Sequence, residues 1–146
     1  MSNKLYFKIS ELIKSDTAIK YNINNMPTIQ HLDNLLNVIY YVLQPIREHF
    51  KKPIIVTGGY RSYALWKKLE NLGRKPAKNS QHLYGQAVDF VVSGVNTKEV
   101  FNWIKNSGLV YDQMLYEYDS DGNIWIHISY KAEGNRKQAI DNYKGC

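Results

Sequence analysis

The sequence predicts an α+β fold, an antiparallel sheet with helices packed against one side. Three observations predict it. Apolar residues recur at three- and four-residue spacing from Ile29 to Ile46, as in a helix that buries one face. Ile124-Trp125-Ile126-His127-Ile128-Ser129-Tyr130 alternates strictly, as in a strand with one buried face. Just before it stands Asp119-Ser120-Asp121-Gly122-Asn123, and Asp-Gly is a strong hairpin signal.

In chain order, Ile9 to Ser15 reads as a short helix with Ile9, Leu12 and Ile13 on one face. Asn22 to Pro27 is a polar connection. The long helix opens at Pro27-Thr28, with Pro27 in the first turn or Thr28 as the cap. Leu32, Leu35, Leu36, Ile39, Val42 and Leu43 continue its apolar face. Pro45 falls inside this pattern and should kink or divide the helix, because a proline within a continuous helix costs about 3 kcal/mol. His31 lies on the polar side. His49 lies near the C-terminal end, where a cation is favoured. Neither is assigned to a metal.

Pro53-Ile54-Ile55-Val56-Thr57 reads as a short buried strand running into Gly58-Gly59-Tyr60-Arg61-Ser62. A helix from Ser62 to Leu72 ends at Gly73, and a basic loop from Arg74 leads to Ser80. From Gln86 the chain reads as a strand, with Val88, Phe90 and Val92 on one face and Ala87, Asp89 and Val91 on the other. Asn96 or Thr97 caps a helix from Lys98 to Asn106, whose inner face is Val100, Trp103 and Ile104; Gly108 stops it. Tyr111 to Tyr118 is the next strand, hairpinned to the alternating segment. The tail from Lys131 to Cys146 is polar, with a short helix expected around Lys137 to Asn142. We read one domain over 1–146: a helical part about 8–51, a site-bearing sheet about 53–130 and the polar tail 131–146.

Composition bounds the function. A chain of 146 residues can bury a core without staples. Its single cysteine, Cys146, has no internal disulfide partner. Lys and Arg outnumber Asp and Glu by 19 to 13, a formal charge of +6. That suits a polyanionic target such as nucleic acid or a cell wall, or is simply a solvated surface. The basic residues are scattered and form no nucleic-acid arm, so no specific nucleic-acid partner is expected. No segment is long enough to span a membrane, and Met1 to Lys8 lacks the apolar run of a signal peptide. The expectation is a monomer that is cytoplasmic as synthesised.

The chemistry gathers in Ser80-Gln81-His82-Leu83-Tyr84-Gly85-Gln86-Ala87-Val88-Asp89. His82 ends a loop, Gly85 permits a tight turn or close backbone approach, and Asp89 projects from the strand that follows. Imidazole plus carboxylate is a common ligand pair for catalytic zinc, which takes three protein ligands and leaves one position open. His127 faces away from the isoleucines of its strand, between Trp125 and Ser129. If that strand lies beside the Asp89 strand, a His-Asp-His site follows. The blander alternative is a histidine hydrogen-bonded in a partly buried position. Arg61, just past a strand end on a glycine-bounded turn, is either an anion binder or a structural salt-bridge or cap partner. Asp119-x-Asp121-Gly122 glances at a calcium loop but lacks its downstream glutamate.

Ser80-x-His82-x-x-Gly85-x-Ala87-x-Asp89 with Trp125-x-His127 resembles the signature of the zinc D-alanyl-D-alanine peptidases. Their wider group includes lysostaphin-type peptidases, vancomycin-resistance dipeptidases and the hedgehog signalling domain. Gly59-Tyr60-Arg61-Ser62, Tyr111-Asp112-Gln113, Tyr116-Glu117 and Ser129-Tyr130 also match. Ile9-Ser10-Glu11-Leu12 and Asn25-Met26-Pro27 look like the small phage- and bacteroidete-type branch. The likeness covers nearly the whole chain. It implies a hedgehog/D-Ala-D-Ala peptidase-like fold with one zinc held by His82, Asp89 and His127, and places Arg61 in the active site. The implied substrate is a peptidoglycan stem peptide, cut by a D-alanyl carboxypeptidase or an endolysin-type L-alanyl-D-glutamate endopeptidase. Without a signal peptide, such an enzyme would reach the wall through a phage-type lysis system.

Peptide hydrolysis also needs a carboxylate that takes a proton from water and returns it to the leaving amine. Some relatives place a glutamate three residues before the last histidine; here that residue is Ile124. Of Glu117, Asp119 and Asp121, Glu117 is the choice, because it lies on the strand paired with the His127 strand. The bland alternative for Glu117 is a surface carboxylate on an edge strand. Ser80 is expected to orient a ligand or bind substrate, and Gln113 and Trp125 join the substrate-binding set. The competing function is a non-catalytic, zinc-containing binding or virion module of the same fold.

Overall fold

The computed structural model describes residues 4–145. The reading of Cys146 lies outside the described residues, as do the first three residues of the N-terminal stretch. Two short helices come first, α1 (Ile9–Ile13) and α2 (Asp16–Lys20). The second was not expected; it starts where Ser15 Oγ accepts from Ala18 N.

The long helical stretch begins at α3 (Ile29–Val38), and Thr28 is its cap, accepting from His31 N. It then widens into a π-turn over Ile39–Leu43 before α4 (Gln44–Phe50). Pro45 explains the change. It has no N–H for an i→i−4 bond, and the wider turn before it, closed by Gln44 N donating to Ile39 O, absorbs the mismatch. The proline thus divides the helix through an irregular turn.

The strands are β1 (Ile54–Gly58), β2 (Ala87–Val92), β3 (Gln113–Tyr118), β4 (Ile124–Ser129) and β5 (Gln138–Lys144). Their spatial order is β1-β2-β4-β3-β5. The first three pairings are antiparallel, as the hairpin signal and alternation predict. The fourth corrects the expectation: β5 runs parallel to β3, so the sheet is mixed. The helix expected at 137–142 is this strand. Its sequence carries no strong period, and the unpaired edge of β3 decides its state. Lys137 N and Gln138 N donate to Tyr111 O and Asp112 O, which feeds the tail into register.

One face of the sheet forms the core. Val88, Phe90, Val92, Met114, Ile126 and Ile128 pack there against Leu35, Val38, Val42 and Ile46 of the long helical stretch. Helix α6 (Thr97–Asn106), capped by Asn96, adds Val100, Phe101 and Ile104. Phe101 takes the inner position expected for Trp103. Trp103 is half-buried and stacks on His49 at 4.0 Å between ring centroids. Helix α5 (Tyr63–Asn71) is capped by Ser62 Oγ accepting from Leu65 N. Among the described residues no helix is long and apolar enough to cross a membrane.

Candidate metal centre

The face of the sheet opposite the core carries the site. Strand alternation puts Asp89, His127 and Leu115 there in one cross-strand row, because Asp89 pairs with His127 and His127 with Leu115. The next strand on the other side contributes Gly58, paired with Asp89. Gly58 leaves room for the carboxylate: a Cβ there would lie 3.0 Å from Asp89 Oδ2.

His82 arrives from a short 3₁₀ turn, Gln81–Tyr84, rather than from a loop end. Ser80 Oγ accepts from His82 N and starts the turn. Gly85 ends it at φ 71°, and a Cβ there would meet His31 O at 2.4 Å. Glycine is therefore required twice over, for conformation and for space. The His82 ring is fixed at its far side, where Nδ1 donates to Gly59 O at 2.8 Å. That bond turns Nε2 towards Asp89 Oδ1, 3.3 Å away, where it donates when the ring is charged and offers a lone pair to a metal when the ring is neutral. His127 Nδ1 lies 3.0 Å from the same oxygen.

Three donor atoms, two imidazole nitrogens and a carboxylate oxygen, thus lie within 4.8 Å of one another. The set and the anchored tautomer fit zinc, and three protein ligands leave room for a water and a substrate oxygen. All three groups are largely buried. Burial raises the Asp89 pKa, but the His82 charge and hydrogen bonds from both imidazoles outweigh it and hold the carboxyl well below the usual range. Burial depresses His82, and Asp89 more than compensates, so its pKa ends up raised; the Arg61 charge pulls the other way. The backbone N–H of Arg61 donates to His82 O at 3.0 Å, which ties the arginine's turn to the His82 turn.

Glu117 lies on the same face, diagonally across from His127, with Oε1 3.7 Å from His127 Nδ1. Its strand is not an edge, because β5 covers it. Glu117 as a residue is 9% exposed. Burial and then the Asp89 charge push its pKa up to about 7, against smaller opposing effects of His82 and Trp125. Trp125 is its direct cross-strand partner. The indole Nε1 is buried and meets no acceptor in hydrogen-bonding geometry, although Glu117 is near enough for it to favour the ionised carboxylate. Gly145, directly after β5, lies against both: a Cβ on it would lie 2.8 Å from Glu117 Oε2 and 2.7 Å from the Trp125 ring.

The other carboxylates named from the sequence do other work. Asp119 accepts from Asn123 N and Nδ2 and from Asp121 N, closing the hairpin, and Asp121 is exposed. Gln113 donates to Gln138 on the neighbouring strand, and Ser80 serves as the cap of the His82 turn. His31 bonds the Tyr60 hydroxyl at 2.9 Å, away from the triad.

Two supporting residues escaped the sequence reading. Asp112 is fully buried and accepts from Arg136 N, Nε and Nη2 and from Gln81 Nε2, with Lys131 Nζ 3.6 Å away. It ties the His82 turn and the entry to β5 to one point. Asn25 accepts from Ser62 N and donates to Ile13 O and Tyr60 O, which pins the turn bearing Arg61. Both sit in short motifs matched above, but their partners lie 24 and 37 residues away.

A family model described as Peptidase M15 matches residues 5–129. The chain belongs to the peptidase M15 family. Comparison with curated proteins gave no match. The M15 assignment agrees with the D-alanyl-D-alanine peptidase resemblance and supports a zinc metallopeptidase, with the His-Asp-His cluster as its possible metal group. The matched span includes all three cluster residues, Arg61 and Glu117, and ends at Ser129, before β5.

Proposed function

We propose that this M15 chain hydrolyses peptidoglycan stem peptides, with one zinc held by His82 Nε2, Asp89 and His127 Nδ1. The observation that carries the reading is a buried carboxylate, Glu117, set 3.7 Å from a nitrogen of the cluster. When bound, zinc supplies Lewis-acid polarisation of the scissile carbonyl and lowers the pKa of the attacking water.

The chain's own residues do the rest. Glu117 Oε1 takes the proton from the attacking water and returns it to the leaving nitrogen, so one group acts as base and then acid. A buried carboxyl beside the cluster is placed for both halves of that task. Trp125 keeps bulk water from one side of Glu117. The Arg61 guanidinium, held by the pinned Gly59–Ser62 turn, offers charge to the substrate carboxylate or to oxygen charge that develops in the transition state. Ser80 acts by shaping the His82 turn.

The activities this supports are a D-alanyl carboxypeptidase or an L-alanyl-D-glutamate-type endopeptidase, in a single-domain monomer without nucleic-acid specificity. One observation favours the alternative, a zinc-holding binding module: Gly145 sits on Glu117 and limits its access. Incubation of the zinc-loaded chain with synthetic stem peptides separates these. Free D-alanine marks the carboxypeptidase and an internal cut the endopeptidase. Intact peptides from a chain that holds zinc would mark the binding module.

A further inference from the structure

Beside the metal cluster lies a cleft of about 770 Å³ between α1–α2, the end of β1 and α5. None of the three cluster residues lines it. It joins the site through Gly58, which touches Asp89, and through Arg61. Its walls carry four cations from four separate segments: Lys14 after α1, Lys20 at the end of α2, Arg61, and Arg74 after α5. Two carboxylates, Glu11 and Asp16, also line it. Glu11 is engaged, since its Oε1 accepts from Lys8 N. The charge count along the walls is therefore 4 − 2 = +2. Lys14, Lys20 and Arg74 are exposed, and Arg61 and Arg74 are brought to the two lysines from more than forty residues along the chain by the fold.

We propose that this cleft is a subsite for a multiply anionic stretch of peptide, one that presents two or more carboxylates while its scissile bond lies at the metal cluster. The inference rests on the proposed peptidase function and names what that site selects. Arg61 takes the carboxylate nearest the reacting bond. Lys14, Lys20 and Arg74 take those farther along, through solvent-screened attraction that sets selectivity more than raw affinity. The hypothesis predicts that an amidated peptide, equal in shape but poorer in charge, is bound less well.

The test uses the full-length zinc-loaded chain carrying Glu117→Gln, titrated by calorimetry. The ligands are a stem-type pentapeptide with free carboxylates and the same peptide with them amidated. The free form should bind about tenfold more tightly, a ratio that shrinks as salt rises. Adding Lys14→Ala, Lys20→Ala and Arg74→Ala together should bring the two peptides close to parity. Asp16→Asn should strengthen binding of the free form, a gain that misfolding cannot mimic. Equal binding of both peptides, no binding of either, or no response to these variants would overturn the subsite. Cleavage is scored separately, by mass spectrometry with the Glu117 chain intact. A chain that selects carboxylates without cutting would retain the subsite while the peptidase reading fell.

Discussion

Glu117 is buried between an aromatic ring and the His-Asp-His cluster, and its proposed chemistry follows from that position. Glu117→Gln keeps the shape and removes the base. Zinc content, measured by elemental analysis, should stay at one per chain, while kcat falls about 10²–10⁴-fold. His82→Ala and His127→Ala should instead lose zinc and activity together, since each leaves two ligands where three are needed. Arg61→Ala should keep zinc and lower kcat/KM about 10²-fold; an unchanged value would make Arg61 structural. His82, Asp89 and His127 were legible as candidates because imidazole and carboxylate side chains stand in a turn and on strands, and the pairing of β2 with β4 brings them together. Alternation placed His127 on the face away from the isoleucines of its strand, and the hairpin put Glu117 on the neighbouring strand. Asp112 and Asn25 were not legible as supports, because nothing local in the sequence tells which distant groups a buried polar side chain will bond.

At the scale of elements, the approaches that build the site are made by glycines and by the short turn that carries His82. Gly59 lies against the backbone of α1, where a Cβ would come within 2.0 Å of Leu12 O. Gly59→Ala must push that backbone away, and with it the Tyr60 N to Leu12 O bond and the carbonyl that anchors His82. We expect a loss of about 1–3 kcal/mol in denaturant unfolding together with weaker zinc affinity. The elements themselves were mostly legible: the long helix, the Asp-Gly hairpin and the strands bearing Asp89 and His127 all form where period and turn chemistry put them. The failure is instructive. Gln138–Lys144 is polar with weak periodicity, and its strand state is dictated by an edge of β3 that the local sequence does not encode. The same strand places Gly145 on Glu117, so the misread element is also the one that covers the base.

For the whole molecule, charge couples folding to pH in two opposite directions. Asp112 has its pKa lowered from 3.8 to about 2, led by the hydrogen bond from Arg136 and opposed by burial. Its stabilisation is complete above its unfolded value and is lost as pH falls from about 4 towards 2. Asp112→Asn should therefore flatten the acid side of the stability curve. Glu117 in the zinc-free chain works the other way, because burial raises its pKa from 4.5 to about 7. A raised carboxyl gives stability below its unfolded value that is lost as pH climbs through its folded one. Zinc-free wild type should thus lose up to about 3 kcal/mol relative to Glu117→Gln between those values. A bound dication lowers the pKa of an adjacent carboxyl and should remove most of that difference. Zinc at a hundredfold excess over its Kd should add about 2.7 kcal/mol to the folded state, read as a higher Tm.

The most direct measurement is an incubation of the zinc-loaded chain with purified peptidoglycan, with and without a chelator, in which products are identified by mass spectrometry. The account predicts release of one defined fragment, abolished by the chelator and restored by zinc. The absence of any fragment, from protein shown to hold one zinc per chain, would contradict it.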